Sequence, residues 1–148
     1  MNLHASTHQH LLEKRWLQAA IMIGCIVPLS GGVLGLMHGA GMVGSVGDVT
    51  LDSHVRYLSG LLLGVGLGFL SAIPNIEKHS DRVALLTAIV VTGGMARLYG
   101  ILSDGWPAPP MVFALGMELG VVPVLWCWQR RVAQQRVTGS SVQPGNGS

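Results

Sequence analysis

Charge is what this chain has least of: Asp, Glu, Lys and Arg together make up 11% of its 148 residues. Soluble domains carry about 25%, so this composition does not build a solvated polar shell around an apolar core. Cysteine is nearly absent as well. Cys25 and Cys127 both fall in apolar stretches, and no C-x-x-C or Cys/His spacing accompanies them. That excludes a disulfide scaffold, a zinc ribbon and covalent haem attachment, and leaves both thiols as reduced packing residues. Catalytic signatures are missing too. There is no Walker glycine loop, no G-x-S-x-G and no H-E-x-x-H, and the glycine-rich segment around Gly64, Gly66 and Gly68 lies inside an apolar run where no phosphate reaches it.

What the chain does have is apolar length. Hydrophobic residues account for 49% of it, glycine for 21 positions, and the mean hydropathy is +0.50. Residues 16–37 hold no charge, 58–73 are charge-free behind Arg56, 83–102 contain only Arg97, and 111–128 contain only Glu118. Each run is close to the about 20 residues that a helix rising 1.5 Å per residue needs to cross about 30 Å of hydrocarbon. None shows the polar stripe that a soluble four-helix bundle would carry on each helix. The expected fold is therefore all-α, an integral membrane four-helix bundle with spans at about 16–38, 55–73, 83–102 and 110–128.

The charges between the runs set an orientation. Lys14, Arg15, Lys78, Arg82, Arg130, Arg131 and Arg136 fall on one side, while the connections 39–53 and 103–110 carry Asp48, Asp52 and Asp104 and no Lys or Arg. Positive loops stay in the cytoplasm, so the N-terminus and the C-terminus are both expected there. The same asymmetry accounts for the net charge of +2 without nucleic acid as a partner. Residues 1–15 are expected as a cytoplasmic segment and the first run as an uncleaved span, being longer than the 7 to 15 residues of a signal core. His4, His8 and His10 read as a solvated stretch and not a metal site, since no Cys or carboxylate set surrounds them. The basic stretch from Gln129 to Arg136 suits the headgroup region, and residues 138–148, rich in Ser, Gly, Gln and Asn, read as a disordered tail.

Small residues recur at helical spacing. Gly31, Gly35 and Gly39 stand four apart, as do Gly60, Gly64 and Gly68, and Gly116 and Gly120 form a further pair. Such faces bring helix backbones close in lipid, within one chain or across the seam of a homodimer. Pro28 is expected to bend or open the first helix and Pro123 to kink the fourth.

Three ionisable groups at or inside the runs are the candidate site. Counting inward at 1.5 Å per residue puts Arg97 about 8 Å and Glu118 about 11 Å below the outer surface, with Arg56 opening the second helix on that side. Tyr57 and Tyr99 lie near the same level, with Ser59 and Ser103. Charges in hydrocarbon persist when paired or beside a polar cavity. The bland reading is an Arg97–Glu118 pair that fixes helix register. The sharper one is a pocket in which two arginines and one glutamate hold an anionic lipid headgroup or another small anion. Arg56 separates the two readings, because a second cation is surplus unless Asp52 or Asp104 meets it. A transporter or proton relay working as an oligomer, or an enzyme using Glu118 with His38 or His54, remains an alternative. Haem ligated by His38 or His54 is a remoter one, and no other cofactor is expected.

The pieces Arg56-Tyr57-Leu58-Ser59-Gly60, Ile73-Pro74-Asn75-Ile76-Glu77, Gly93-Gly94-Met95-Ala96-Arg97-Leu98 and Glu118-Leu119, followed by Pro123, resemble the recurring pattern of a domain-of-unknown-function family, number 4345. The resemblance covers about residues 16–130. It implies a small four-helix protein of the bacterial inner membrane and supplies no activity. Together these features lead us to expect a multi-pass membrane protein, more a binding or accessory protein than an enzyme, free or as a subunit of a larger complex.

Overall fold

A computed structural model describes the backbone of residues 3–45 and 47–140, and the side chains of residues 11–135 apart from 43 and 46. Every regular element among them is helical: α1 (Leu3–His38), a 3-10 turn (Gly39–Val43), α2 (Val49–Ala72), a second 3-10 turn (Ile73–Asn75), α3 (Ser80–Asp104), α4 (Pro109–Gly116), a π-helical turn (Met117–Val121) and α5 (Val122–Ser140). Four stretches, Leu11–Met42, Val49–Asn75, Ser80–Asp104 and Pro109–Gln135, are long and apolar enough to cross a membrane. Exposed side chains such as Met22, Ile23, Leu67, Leu85 and Val124 suit lipid on those surfaces and would be costly in water. The helices overrun the apolar runs because polar residues extend their ends. Asp48 caps α2 by accepting from the Leu51 amide at 3.0 Å, and Pro109 and Pro110 open α4, where a missing N–H costs nothing. The histidines His4, His8 and His10 lie outside the described side chains, and the tail expected to be disordered is helical to Ser140, with 141–148 outside the described residues.

The chain divides into two compact units, one of residues 20–73 and one of residues 1–19 with 74–148. In the first, the later part of α1 lies against α2 along Gly32, Gly35 and Gly39. A Cβ at Gly32 would stand 2.8 Å from the Leu63 Cβ and 2.9 Å from the Ser59 carbonyl oxygen, and one at Gly35 would stand 2.7 Å from the Ser59 Cβ. No side chain fits there. Gly39 adopts φ +54, a left-handed conformation that glycine takes without strain, and it too faces α2, at the Asp52 carboxylate. A Cβ at Gly31 or Gly60 would make only ordinary contact, with Leu62 at 3.6 Å or Leu36 at 3.9 Å. No atom lies within 4 Å of a Cβ built at Gly64, and the Gly68 carbonyl accepts from the Ser71 hydroxyl at 2.7 Å. Further along, Gly66 receives Leu29, 3.1 Å from its virtual Cβ. Pro28 is absorbed without a break in α1, and the Ser30 hydroxyl donates to the carbonyls of Ile26 and Val27 beside it.

The second unit has its densest packing around Leu17, Ile76, Val83, Val132 and Gln129, all fully or almost fully buried. The Gln129 side-chain amide donates to the Ile76 carbonyl at 2.7 Å and to the Ser80 hydroxyl at 3.0 Å, which ties the turn before α3 to α5. Lys14 pairs with Glu77 at 3.0 Å at the same level.

Gly32→Leu should therefore lower the thermal stability of the detergent-solubilised protein, by the order of 1–3 kcal/mol that overpacking costs. Gly64→Ala, with open space around it, should leave stability unchanged or raise it slightly by helix propensity. Equal effects of the two substitutions would contradict the glycine contact.

Candidate functional site

Arg97 on α3 and Glu118 in the π-helical turn form a side-on fork. The Arg97 Nε donates to Glu118 Oε2 at 3.1 Å and its Nη2 to Oε1 at 3.2 Å. Both members of the pair are partly shielded, with side chains 32% and 18% exposed. Nη1 turns the other way and meets only the Met111 thioether, at 3.1 Å. A guanidinium carries five N–H donors and a thioether is a weak acceptor. Three donors are therefore left without a strong acceptor among the described residues, one of them meeting only the thioether.

The local sequence explains why Glu118 is presented there. Pro123 has no N–H, so the α-helical bond from position 123 to the Leu119 carbonyl cannot form, and its ring crowds that carbonyl. The preceding turn is wider than an α-turn: the Val122 N–H reaches back five residues to the Met117 carbonyl. A π-turn adds one residue to the helix, which displaces the faces before and after it by about 100° relative to an unbroken α-helix. Gly94 then lets the turn approach α3, since a Cβ there would lie 2.8 Å from Leu119 Cδ2 and 3.0 Å from Glu118 Cβ. Gly116 and Gly120, on either side of Glu118, have no atom within 4 Å of a virtual Cβ.

Arg56 belongs to the other unit and has its own partners. Its Nε donates to Asp52 Oδ2 at 2.7 Å, its Nη2 lies 3.5 Å from Asp52 Oδ1, and its Nη1 donates to the Leu36 carbonyl near the end of α1. Asp52 Oδ1 also accepts the Ala40 N–H at 2.9 Å. One carboxylate thus satisfies an arginine and a backbone donor in the 3-10 turn after α1. The second cation is met by Asp52, so it is not surplus.

The remaining candidates are more loosely placed. Tyr57 and Tyr99 are 65% and 72% exposed, and neither hydroxyl makes a hydrogen bond among the described residues. Tyr99 follows Arg97 by two positions, which turns it to another face of α3. The His38 ring nitrogen Nδ1 contacts the Leu34 carbonyl at 3.0 Å. With Asp48 and Asp52, His38 lines an open groove of about 300 Å³, while His54 is exposed on α2. Among the described residues no three or more His, Cys, Asp or Glu side chains gather as a metal set would.

Sequence reasoning had named Asp52 only as a conditional partner, yet its spacing of four before Arg56 at a helix start is a readable ion-pair signal. Met111 and the π-turn carried no signal beyond Pro123 itself, and Gly94 stood only within the Gly93–Leu98 piece, with nothing to mark it as a contact for Leu119. Asp52→Ala should destabilise the protein in detergent by about 1–2 kcal/mol, because it strands Arg56 and the Ala40 amide together. Asp104→Ala, which removes no side-chain hydrogen bond among the described residues, is the control and should change little in the same melt.

The comparison with known proteins gives one positive finding. A family model described as a domain of unknown function (DUF4345) matches residues 16–129. No curated protein and no solved structure matches the chain.

Proposed function

The chain belongs to the DUF4345 family, and from that premise we propose that it is a non-catalytic binding or accessory protein of a bacterial inner membrane, with Arg97 and Glu118 as its ligand-contacting pair. Its loop charges support a topology with both termini cytoplasmic and with this pair in the outer half of the membrane.

The observation that carries the reading is the unequal use of the Arg97 guanidinium. Its Nε and Nη2 edge is spent on Glu118, while Nη1 meets a thioether. A strong acceptor from outside the chain, a phosphate or carboxylate oxygen, satisfies those remaining donors far better than sulfur does. π-turns are frequent at functional sites, and an ionisable group inside an apolar span marks a functional position more often than a lipid-facing one.

The charge balance then narrows the ligand. An anion was the natural guest for two arginines and one glutamate. Arg56 is neutralised by Asp52, and Arg97 by Glu118. Each unit thus holds a neutral pair, and a bare anion brought against Glu118 in a medium of low dielectric meets repulsion as well as attraction. A zwitterionic headgroup avoids this cost. Its phosphate bonds the open edge of Arg97, its ammonium approaches the Glu118 carboxylate, and the whole remains neutral.

Native mass spectrometry of gently extracted protein tests the reading. Phosphatidylethanolamine should be retained in preference to phosphatidylglycerol, and Arg97→Met should lower its occupancy at least several-fold. A ligand-free wild-type spectrum, or equal retention by the Arg97 variant, would overturn the binding role.

A further inference from the structure

Away from the Arg97–Glu118 pair, the interface of α3 with α5 contains polar atoms that no described residue satisfies. Thr87 Oγ1, Trp126 Nε1 and Gln129 Oε1 are all shielded from solvent and make no hydrogen bond. Thr87 is 6% exposed and Gln129 0%. Groups so buried in native proteins are nearly always met by a partner, and where the protein supplies none an internal water does.

The three groups share one region. Gly94 packs on Leu119 while Ser80 bonds Gln129, so α3 and α5 run antiparallel. Thr87 lies seven residues beyond Ser80, two turns along the same face. Trp126 precedes Gln129 by three residues and shares its face of α5. That places Trp126 on the Thr87 side of the Ser80–Gln129 contact. Helical side chains lean toward the N-terminus of their helix, which carries both the indole and the Gln129 carboxamide further toward Thr87. The Arg130 guanidinium lies over the indole, 5.3 Å from its ring centre, and the indole nitrogen is itself shielded from solvent.

We propose that ordered water occupies the α3–α5 interface at the level of Thr87, Trp126 and Gln129, accepting from the Trp126 indole N–H, donating to Gln129 Oε1 and sharing a hydrogen bond with the Thr87 hydroxyl. The donor and acceptor types are complementary to water. The indole is a donor only, the free carboxamide oxygen an acceptor only, and the hydroxyl either. Three protein partners is the usual complement of a buried water. Gln129 spends both N–H donors of its amide on the Ile76 carbonyl and the Ser80 hydroxyl, so its orientation is fixed and the acceptor oxygen is left for the water. The site lends the interface polar specificity that Leu, Val and Ile packing alone does not give.

Thr87→Val and Trp126→Phe, singly and together, test this in the full chain by thermal melts in detergent. If water links the two groups, each single substitution lowers Tm by several degrees, and the double substitution lowers it by less than their sum. If the groups stand unmet, replacing either by its apolar counterpart raises Tm, and that result overturns the proposal. A second measurement does not rely on the variants. In wild-type protein the Trp126 indole proton, assigned by its loss in Trp126→Phe, should show cross-relaxation to a long-lived water resonance, and an indole without any such water contact also overturns the proposal.

Discussion

The constraint on which this fold depends is the cost of holding a charge in hydrocarbon. A guanidinium or carboxylate at the centre of a bilayer costs roughly 2.5–3.5 kcal/mol by insertion scales, so each needs a counter-charge within reach of its own side chain. The protein meets that need inside each compact unit. Arg56 finds Asp52 one helical turn away, and Arg97 finds Glu118 across a helix–helix contact. The first is an exposed i,i+4 pair whose larger contribution comes from what else it holds, the Leu36 carbonyl and the Ala40 amide at the end of α1. The second joins distant parts of the sequence and requires the backbones themselves to be placed.

That placement rests on the absence of side chains. Gly32, Gly35 and Gly39 bring α1 onto α2 until Ser59 and Asp52 occupy the space a methyl group would take, and Gly94 does the same for Leu119 and Glu118. In lipid there is no water to expel, so close approach and the polar contacts it permits replace hydrophobic burial as the source of helix association. The π-turn completes the arrangement. Its extra residue, set by the proline that follows, decides which face of the fourth span carries the glutamate.

Much of this was legible in the sequence, and the failures are instructive. Apolar runs of membrane length, bounded by charge, located the four helices because length and hydropathy are one-dimensional properties. Arg97 and Glu118 were matched by depth alone, since residue counting converts directly to distance along a helix. The glycine register was less visible. Spacing by four marks Gly31, Gly35 and Gly39 as one face, but the tight contact uses Gly32 with the last two, because choosing between neighbouring faces depends on what α2 presents. Pro28 and Pro123 look alike in sequence, yet α1 passes one without a break and the fourth span widens before the other. Gln129 gave no signal, as an amide beside basic residues looks solvated until the turn before α3 is seen to cover it.

The account stands most directly on the Arg97–Glu118 pair, and a double-substitution cycle measures it. Arg97→Met, Glu118→Leu and the double variant would be compared by equilibrium unfolding in one detergent. Each single substitution strands a charge and should cost on the order of 3–5 kcal/mol, while the double variant, with no charge left to compensate, should be distinctly more stable than either. Additive losses would show that the two side chains do not compensate each other and would contradict the account.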